Sequence, residues 1–250
     1  MDGKYLSDDE LISAINHSSE PYIIVEGPDD VMIYRWILDD LACEGCLEPR
    51  EGCGSVKRLF KRKGEITNPK TIFICDKDTI VYTGIVPEEC KGIIYTEGYS
   101  IENDLYQGKA LENKLFKKQD KIIFSKVLDS FLRAYACELE KFRESLGFDF
   151  TINPERILDK NDYSLKMDVL NDFKEPANET VNYLRSNYDL LLRGHSLFSL
   201  VRIVLGRKDR SIKWTINHLY ELCYGNKSDC IVKMQNRIKN QLVNDIVTKR

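Results

Sequence analysis

Short apolar runs alternate with helical patterns over the first part of the chain. Residues 22–25, 70–75 and 92–96 are rich in Ile, Val, Phe and Tyr and are bounded by Pro, Gly or charged residues. This pattern is typical of buried strands. Residues 31–41 instead repeat their apolar positions at the spacing of an amphipathic helix. Strands that alternate with helices predict an α/β fold with a mostly parallel, Rossmann-like sheet flanked by helices.

The apolar pattern changes after residue 110. Residues 121–143 place Ile, Val, Leu, Phe and Tyr on one face of a long amphipathic helix. Helical patterns continue through residues 178–205 and 211–247, with an interruption near Gly206. The second part of the chain is therefore predicted to be largely helical.

Length and composition fit this division. The chain has 250 residues, which suits an α/β domain over residues 1–110 followed by a helical region over residues 111–250. Hydrophobic residues make up 42% and charged residues 31%, as in globular proteins. No apolar run approaches the roughly 18 residues that a membrane helix needs, and residues 1–4 do not resemble an export signal. We expect a bacterial cytoplasmic protein with no membrane contact.

The chain has eight cysteines, which we expect to be reduced thiols in a cytosol. Cys43-x-x-Cys46 followed by Cys53 suggests zinc binding. A structural zinc site wants four ligands, usually as two pairs, and no second pair or nearby His completes this one. Buried or loop thiols are the favoured interpretation.

The net charge of −3 conceals an uneven distribution along the chain. Residues 1–180 contain 24 Lys and Arg against 35 Asp and Glu, whereas residues 181–250 contain 13 against 5. A metal-dependent enzyme acting on nucleic acid would use acidic residues for cations and a separate basic surface for phosphates. The alternative is a helical surface that is basic and merely solvated.

Acidic residues follow two of the predicted strands. Glu26 comes directly after residues 22–25, and Asp76 and Asp78 come directly after residues 70–75. The carboxyl ends of parallel strands meet at one edge of a sheet, so these carboxylates are predicted to lie close together. A divalent cation relieves their repulsion, and hard oxygen ligands favour Mg²⁺ or Mn²⁺. Either element alone is more often a turn or a helix cap, but the two in this order are far more specific.

The two acidic elements resemble the sequence pattern of the Toprim domain, a metal-binding fold of topoisomerases, primases and overcoming-lysogenization-defect nucleases. The family pattern is a strand ending in Glu-Gly-x-x-Asp and a later strand ending in Asp-x-Asp. Here residues 26–30 read Glu-Gly-Pro-Asp-Asp and residues 76–78 read Asp-Lys-Asp. The resemblance covers about residues 20–110 and implies a Toprim fold there.

A further segment narrows the resemblance. Residues 99–105 read Tyr-Ser-Ile-Glu-Asn-Asp-Leu. This is similar to the Tyr-x-Ile-Glu-Asn element of small stand-alone Toprim proteins found beside ABC-type ATPases in bacterial defence loci, above all the effector nucleases of PARIS-type anti-phage systems. The resemblance implies tRNA as substrate, the ABC-type ATPase of the same system as partner, and a homodimer as the active form.

The resemblance also implies a role for each acidic residue. Glu26 would be a metal ligand or general acid/base, and Asp76 and Asp78 would be metal ligands. Asp30 would contact the ion or support the residues that do, and Glu102 would be a further acidic ligand. Phosphodiester hydrolysis needs this chemistry, because a metal ion activates the water and stabilises the leaving oxygen while a carboxylate relays protons.

Basic residues are expected to act on the substrate. Related nucleases often place a lysine near the scissile phosphate in the helical part, where this chain offers Arg193 and His195 instead. His195 is therefore a candidate catalytic residue, and its alternative role is to cap a helix after Gly194. The residues predicted to bind substrate phosphates are Arg193, Arg207, Lys208 and Arg210.

These observations predict a metal-dependent Toprim endonuclease, an anti-phage effector that cleaves RNA, in particular tRNA, when its partner ATPase releases it. Topoisomerase and primase activities fit poorly, because the chain is short and contains no zinc-ribbon pattern. Two alternatives stay open at this point. One is a non-catalytic Toprim module that docks an ABC-type ATPase or nucleic acid. The other is a housekeeping RNA-processing Toprim nuclease.

Overall fold

The computed structural model describes residues 5–169 and 173–247. The chain divides into two compact units. The first unit comprises Met1–Glu97 and Asp229–Arg250, and the second comprises Gly98–Ser228. The division at Glu97 precedes the boundary that the sequence pattern placed at residue 110, and the last helix returns to the first unit.

The first unit contains a four-stranded parallel sheet among the described residues. The strands are β1 (Tyr22–Val25), β2 (Cys46–Pro49), β3 (Thr71–Cys75) and β4 (Ile94–Tyr95). They lie in the order β2-β1-β3-β4, and all three pairings are parallel. The prediction of an α/β fold with a parallel sheet is confirmed.

Helices follow the strands of the first unit and make up most of the second. In chain order they are α1 (Asp8–Asn16), α2 (Val31–Asp40), α3 (Gly52–Lys61), α4 (Ile80–Thr83), α5 (Ile101–Tyr106), α6 (Ala110–Leu115), α7 (Lys118–Arg143), α8 (Pro154–Ile157), α9 (Asn178–Ser186), α10 (Tyr188–Leu191), α11 (Gly194–Leu205), α12 (Ile216–Tyr224) and α13 (Asp229–Val247). None of the described helices is both long enough and apolar enough to cross a membrane.

The central strands are buried on both faces, as parallel strands flanked by helices usually are. Successive residues Ile23, Ile24 and Val25 of β1 are all fully buried. On one face, β1 and β3 form a single apolar cluster with residues of α1 and α3, including Leu11 and Leu59. This packing holds the carboxyl ends of β1 and β3 on a rigid support.

Helix α13 completes the first unit from the far end of the sequence. It buries Ile231, Met234 and Ile238. The Arg237 guanidinium donates a hydrogen bond of 2.8 Å to the carbonyl oxygen of Tyr95, the last residue of β4. The edge strand is thereby joined to a helix that follows the whole second unit in sequence.

The second unit is built around the long amphipathic helix α7 and the apolar helix α11. Helix α7 spans 26 residues and packs against α9 and α11. Its fully buried residues include Phe131 and Tyr135, as the helical pattern predicted. The stretch predicted as one helix over residues 178–205 is instead divided into α9, α10 and α11. The expected interruption at Gly206 is the C-terminus of α11.

Candidate functional site

The strand order places a crevice beside Glu26. The chain leaves β1 toward β2 on one side of it, and then crosses back to β3 on the other side. Ligands of open α/β sheets bind at such a switch point, outside the carboxyl ends of the strands. Glu26 directly follows β1, and Asp76 directly follows β3. The structure thus brings the two sequence-predicted acidic elements to one place.

Hydrogen bonds hold Glu26 between the two strand ends. The backbone N–H of Asp76 donates to Glu26 Oε1 at 2.8 Å, and the backbone N–H of Gly52 donates to the Glu26 carbonyl oxygen at 2.9 Å. Burial, followed by the fields of Cys53, Asp78 and Asp30, raises the pKa of Glu26 to about 8, although the Asp76 N–H opposes the shift. Burial and, after it, the neighbouring acidic groups thus make this carboxyl group hard to ionise.

Asp30 stabilises the loop that carries Glu26. Its carboxylate accepts a hydrogen bond of 3.1 Å from the backbone N–H of Gly27. This contact closes the turn between β1 and α2, and Asp30 is the residue that precedes α2. Its position agrees with the supporting role considered for it, and its charge also reaches Glu26.

The segment from Asp76 to Asp78 turns away from the strand direction. Asp78 has a φ of 46° in the left-handed region, which Asp tolerates better than most residues. In an extended Asp-x-Asp segment both side chains would lie on one side, but the turn at Asp78 interrupts that arrangement. The backbone N–H of Lys77 donates to Thr96 Oγ1 at 3.0 Å, and its ammonium donates to the Glu97 carbonyl oxygen at 3.0 Å. These contacts anchor the loop that carries both aspartates.

Two thiols that sequence analysis did not connect lie beside Glu26. Cys53 Sγ, Cys75 Sγ and a Glu26 carboxylate oxygen all lie within 4.8 Å of one another. A hydrogen bond with Cys75 lowers the pKa of Cys53 to about 6 against the effect of burial, with further help from Lys57. The same hydrogen bond, followed by burial, raises the pKa of Cys75. The only sequence signal was that Cys75 immediately precedes Asp76.

The zinc pattern considered from sequence is not the one that the fold assembles. Among the described residues, Cys53 groups with Glu26 and Cys75, not with Cys43 and Cys46. Cys46 is exposed at the start of β2. None of the eight cysteines, all of which lie in the described ranges, forms a disulfide.

Glu102 lies in the second unit, where it pairs with His195. Its carboxylate oxygen Oε1 lies 3.0 Å from His195 Nδ1, and the Tyr220 hydroxyl donates to the same oxygen at 3.4 Å. Burial raises the pKa of Glu102, but hydrogen bonds from His195 and Ser100 outweigh it, so the pKa lies below its usual value. Glu102 is thus held as a charged group within its own unit.

The start of α11 fits closely against this pair. A Cβ atom on Gly194 would lie 2.3 Å from Ser100 Oγ and 2.7 Å from Glu102 Cβ, so only glycine fits there. The carboxylate therefore lies near the N-terminus of α11, where the helix dipole favours a negative charge. His195 itself is exposed in the first turn of α11, and its contact with Glu102 goes beyond the capping role considered from sequence.

The rest of the segment over residues 99–105 also has structural contacts. The Asn103 amide donates hydrogen bonds of 2.8 Å to the carbonyl oxygens of Asp189 and Leu192. Asp104 accepts a hydrogen bond of 2.7 Å from the backbone N–H of Gly98. This segment therefore ties α5 to the loops around α10.

Two of the predicted phosphate-binding residues are engaged by a buried acid. The Arg207 guanidinium lies 2.8 Å from Asp120 Oδ1, and the Arg210 guanidinium binds the other oxygen of the same carboxylate. Hydrogen bonds from the Lys117 backbone and the two arginines outweigh burial, so the pKa of Asp120 is lowered. Arg193, at the start of α11, donates its backbone N–H to the Tyr135 hydroxyl at 3.1 Å.

A cavity of about 820 Å³ lies within the second unit, around the junction of α8 with the end of α11. Its basic lining residues are Lys160, Arg202, Arg207, Lys208 and Lys213. Tyr163 and Trp214 add aromatic surface. Lys208 is exposed and forms no ion pair within residues 5–169 and 173–247. The cavity thus combines free positive charge with aromatic rings.

No protein-family model matches this chain, and no curated protein is significantly similar to it.

Proposed function

We propose that this chain is a metal-dependent endonuclease of the Toprim type that acts on RNA. The observation that carries the proposal is the grouping of acidic residues at the switch point. Asp78 and Asp30 lie close enough to Glu26 to raise its pKa, and Asp76 binds the Glu26 side chain through its backbone N–H. A scaffold has no physical need for acids that repel one another, whereas phosphodiester hydrolysis needs acids that share a cation.

The donor set fits a hard divalent ion, Mg²⁺ or Mn²⁺. Glu26, Asp76 and Asp78 would hold it after their side chains rotate toward one another, because each offers carboxylate oxygens near the strand ends but the three do not form a ligand group among the described residues. Such an ion supplies the charge that activates a water and stabilises the leaving oxygen. The raised pKa of Glu26 supports this fit, because burial and then the fields of Cys53, Asp78 and Asp30 disfavour a charged carboxylate that no cation accompanies.

Glu26 also has the properties of a proton relay. As the alternative to a ligand role, a carboxyl group whose pKa is about 8 without a bound ion holds its proton near neutral pH and exchanges it readily, as general acid/base catalysis requires. The N–H of Asp76 fixes Oε1, which leaves the other oxygen to exchange the proton with the attacking water or the leaving group.

The second unit supplies the surface for a polyanion. Lys208 is exposed without an ion pair in the described part of the chain, and the cavity that it lines also contains Trp214. The Trp214 Nε1 is buried and has no hydrogen-bond partner among the described residues. Aromatic rings that stack with unpaired bases, next to cations that bind phosphates, are typical of RNA recognition. Arg207 and Arg210 would have fixed orientations at this surface, because the Asp120 carboxylate binds both guanidinium groups.

The narrower parts of the proposal rest on the resemblance of residues 99–105 to defence-associated Toprim nucleases. They are tRNA as substrate, an ABC-type ATPase as partner, a homodimer as active form and the bacterial cytoplasm as location. Glu102 as a further metal ligand, and Arg193 and His195 in place of a lysine, stay predictions that belong to this part.

The test is incubation of the purified chain with total RNA and with purified tRNA, in Mg²⁺, Mn²⁺, Ca²⁺ or EDTA, with mapping of the fragment ends. We expect cleavage in Mg²⁺ or Mn²⁺, little in Ca²⁺ and none in EDTA. Glu26→Gln should abolish cleavage, and Glu89→Gln, a change at an exposed glutamate of the same unit, should leave it intact. Cleavage that persists in excess EDTA or in Glu26→Gln would contradict the proposal, and RNA binding without cleavage would favour a non-catalytic module.

A further inference from the structure

The thiols beside Glu26 lie on rigid parts of the fold. Cys75 is the buried last residue of β3, and Cys53 is in the first turn of α3. The parallel register pairs Ile24 with Phe73, so its continuation brings Glu26 beside Cys75. The Gly52 N–H bonded to the Glu26 carbonyl oxygen fixes the start of α3 at the same point. The backbone thus preorganises all three side chains.

The distances between the three ligand atoms suit an ion with tetrahedral coordination. Zinc–sulfur and zinc–oxygen bond lengths separate neighbouring ligand atoms by about 3.5–3.8 Å. The three ligand atoms here all lie within 4.8 Å of one another, so small side-chain rotations close the difference. Among the residues that the structure describes, this is the group of His, Cys, Asp and Glu side chains near enough to share one ion.

The ligand types differ from those of the strand-end aspartates. Two thiolates select a soft or borderline ion such as Zn²⁺, whereas carboxylates alone select Mg²⁺ or Mn²⁺. Three protein ligands leave the fourth zinc position to water. Lys57, which shares a hydrogen bond with Cys53, supplies the positive charge beside the thiols when no ion is bound.

We propose that Glu26, Cys53 and Cys75 form a binding site for zinc, and that zinc bound there switches the nuclease off. Binding releases the remaining thiol protons to solvent and replaces Lys57 as the counter-charge. Because Glu26 belongs both to this site and to the Mg²⁺ site, zinc withdraws it from the hard ion and from proton transfer. The inhibitory part rests on the proposed nuclease function, whereas zinc binding does not.

Cobalt titration tests the site without any assay of activity. Co²⁺ bound to thiolates has an intense charge-transfer band in the near ultraviolet, and Zn²⁺ displaces it. We expect the band in the wild type and in Cys46→Ser, whose exposed thiol is the matched control. Cys53→Ser should lose the band and weaken zinc binding by at least about 100-fold, and Glu26→Gln should weaken it by at least about 10-fold. A full band in Cys53→Ser, or its loss in Cys46→Ser, would overturn the site.

The choice of Cys53 keeps the test decisive. Cys75 is buried in the core cluster, and its substitution could unfold the chain, whereas Cys53 is only partly buried. The circular dichroism spectrum of Cys53→Ser should match that of the wild type, and the band then reports the site alone.

Inhibition is measured as RNA cleavage in fixed Mg²⁺ with increasing zinc. Zinc should inhibit the wild type and Cys46→Ser at concentrations that saturate the cobalt-competition site, and Cys53→Ser should resist it by at least about 10-fold. Equal inhibition of Cys53→Ser would overturn the switch. If the wild type never cleaves RNA in Mg²⁺ but shows the band, the proposed function fails and the zinc site stands. If it cleaves and shows no band, this inference fails and the nuclease stands.

Discussion

Glu26 in the first unit and Glu102 in the second are both shielded from solvent, yet their pKa values shift in opposite directions. Glu26 lies among Cys53, Asp78 and Asp30, and its pKa is raised to about 8. Glu102 has His195 as a partner, and its pKa is lowered despite burial. The pKa of Asp120, also in the second unit, is likewise lowered, and the Asp120 carboxylate binds the Arg207 guanidinium.

The difference separates two uses of buried carboxylates. In the second unit Glu102 and Asp120 each have a basic partner, so their charges are balanced within the fold and they stabilise the packing of helices. At the strand ends of the first unit, Glu26 lies near the acids Asp78 and Asp30. Their repulsion raises the free energy of the folded state, and a bound cation can remove that repulsion. A carboxyl group whose pKa is raised by burial and by neighbouring acids is a stronger indication of a functional site than burial alone.

The largest expected effect is on catalysis at the strand ends. Asp78→Asn should lower the RNA cleavage rate by about 10²–10⁴-fold, because it removes both a metal ligand and charge beside Glu26. Its unfolding free energy should stay the same or rise, because repulsion is relieved. Asp39→Asn, at an exposed position on α2, is the control and should cleave normally. A large loss of stability in Asp78→Asn would contradict the repulsion inferred between Asp78 and Glu26.

The second effect is on stability in the second unit. Asp120→Ala should lower the unfolding free energy by about 3–5 kcal/mol, because it leaves two partly buried guanidinium groups without their partner. Asp209→Ala removes an exposed acid that also pairs with Arg207, and should lower the unfolding free energy far less than Asp120→Ala does. Urea denaturation of both variants gives the comparison. Similar losses in the two variants would mean that burial does not distinguish the two acids.

The third effect is on the pH dependence of stability, to which Glu26 and Glu102 should contribute with opposite signs. Between the usual pKa of 4.5 and the folded value of about 8, the folded state keeps a proton on Glu26 that the unfolded chain has released. The contribution of Glu26 to stability therefore falls as pH rises through this window, by at most about 1.4 kcal/mol per pH unit. Glu26→Gln should remove this fall, so that it is more stable than the wild type at pH 8.

Glu102 should behave in the reverse manner. Because its pKa is lowered, the contribution of Glu102 to the free energy of unfolding is fully present above the usual pKa of 4.5. That contribution is lost as the pH falls through the pKa of the folded state. Glu102→Gln should therefore be less stable than the wild type at pH 7, and the difference should shrink in acid. Urea midpoints measured from pH 4 to pH 8 check both variants. A Glu26→Gln profile parallel to that of Glu102→Gln would contradict the comparison.

The smallest effect concerns the exposed cation of the cavity. In a Glu26→Gln background, Lys208→Ala should weaken RNA binding a few-fold and lower the slope of binding against salt by about 1, as expected for one lost phosphate contact. Lys126→Ala, an exposed lysine on α7, is the control and should change neither. Equal effects of the two substitutions would place the substrate elsewhere on the basic surface.

Local patterns were enough to predict the elements that position the strand-end acids. Ser7 and Glu10 have the spacing of a capping box, and the structure forms that box at the start of α1. The strand before Glu26 and the strand before Asp76 were predicted from apolar runs, because parallel strands covered on both faces leave that signature. The meeting of these residues at one edge of the sheet then followed from the parallel geometry, whereas the strand order was not predicted.

Contacts between residues far apart in the chain leave no local pattern in the sequence from which they could be predicted. Asp120 and Arg207 are far apart in sequence, and neither stands out from the charged residues around it. Cys53 and Cys75 belong to different elements, and only the register of β1 with β3 and the start of α3 bring them to Glu26. The turn at Asp78 also escaped prediction, because a positive φ at an aspartate depends on the contacts of the surrounding loop.

Helix α13 has a consequence for the order in which the chain folds during translation. The four strands leave the ribosome before the second unit is synthesised, but α13 leaves after it. Until then the first unit lacks the apolar residues Ile231 and Ile238 and the Arg237 contact to β4. Domains usually fold from the N-terminus as they emerge, but here the unit that carries the strand-end acids must wait for the last helix. The first unit is therefore discontinuous in sequence, and the packing around β4 is complete only after the second unit has been synthesised.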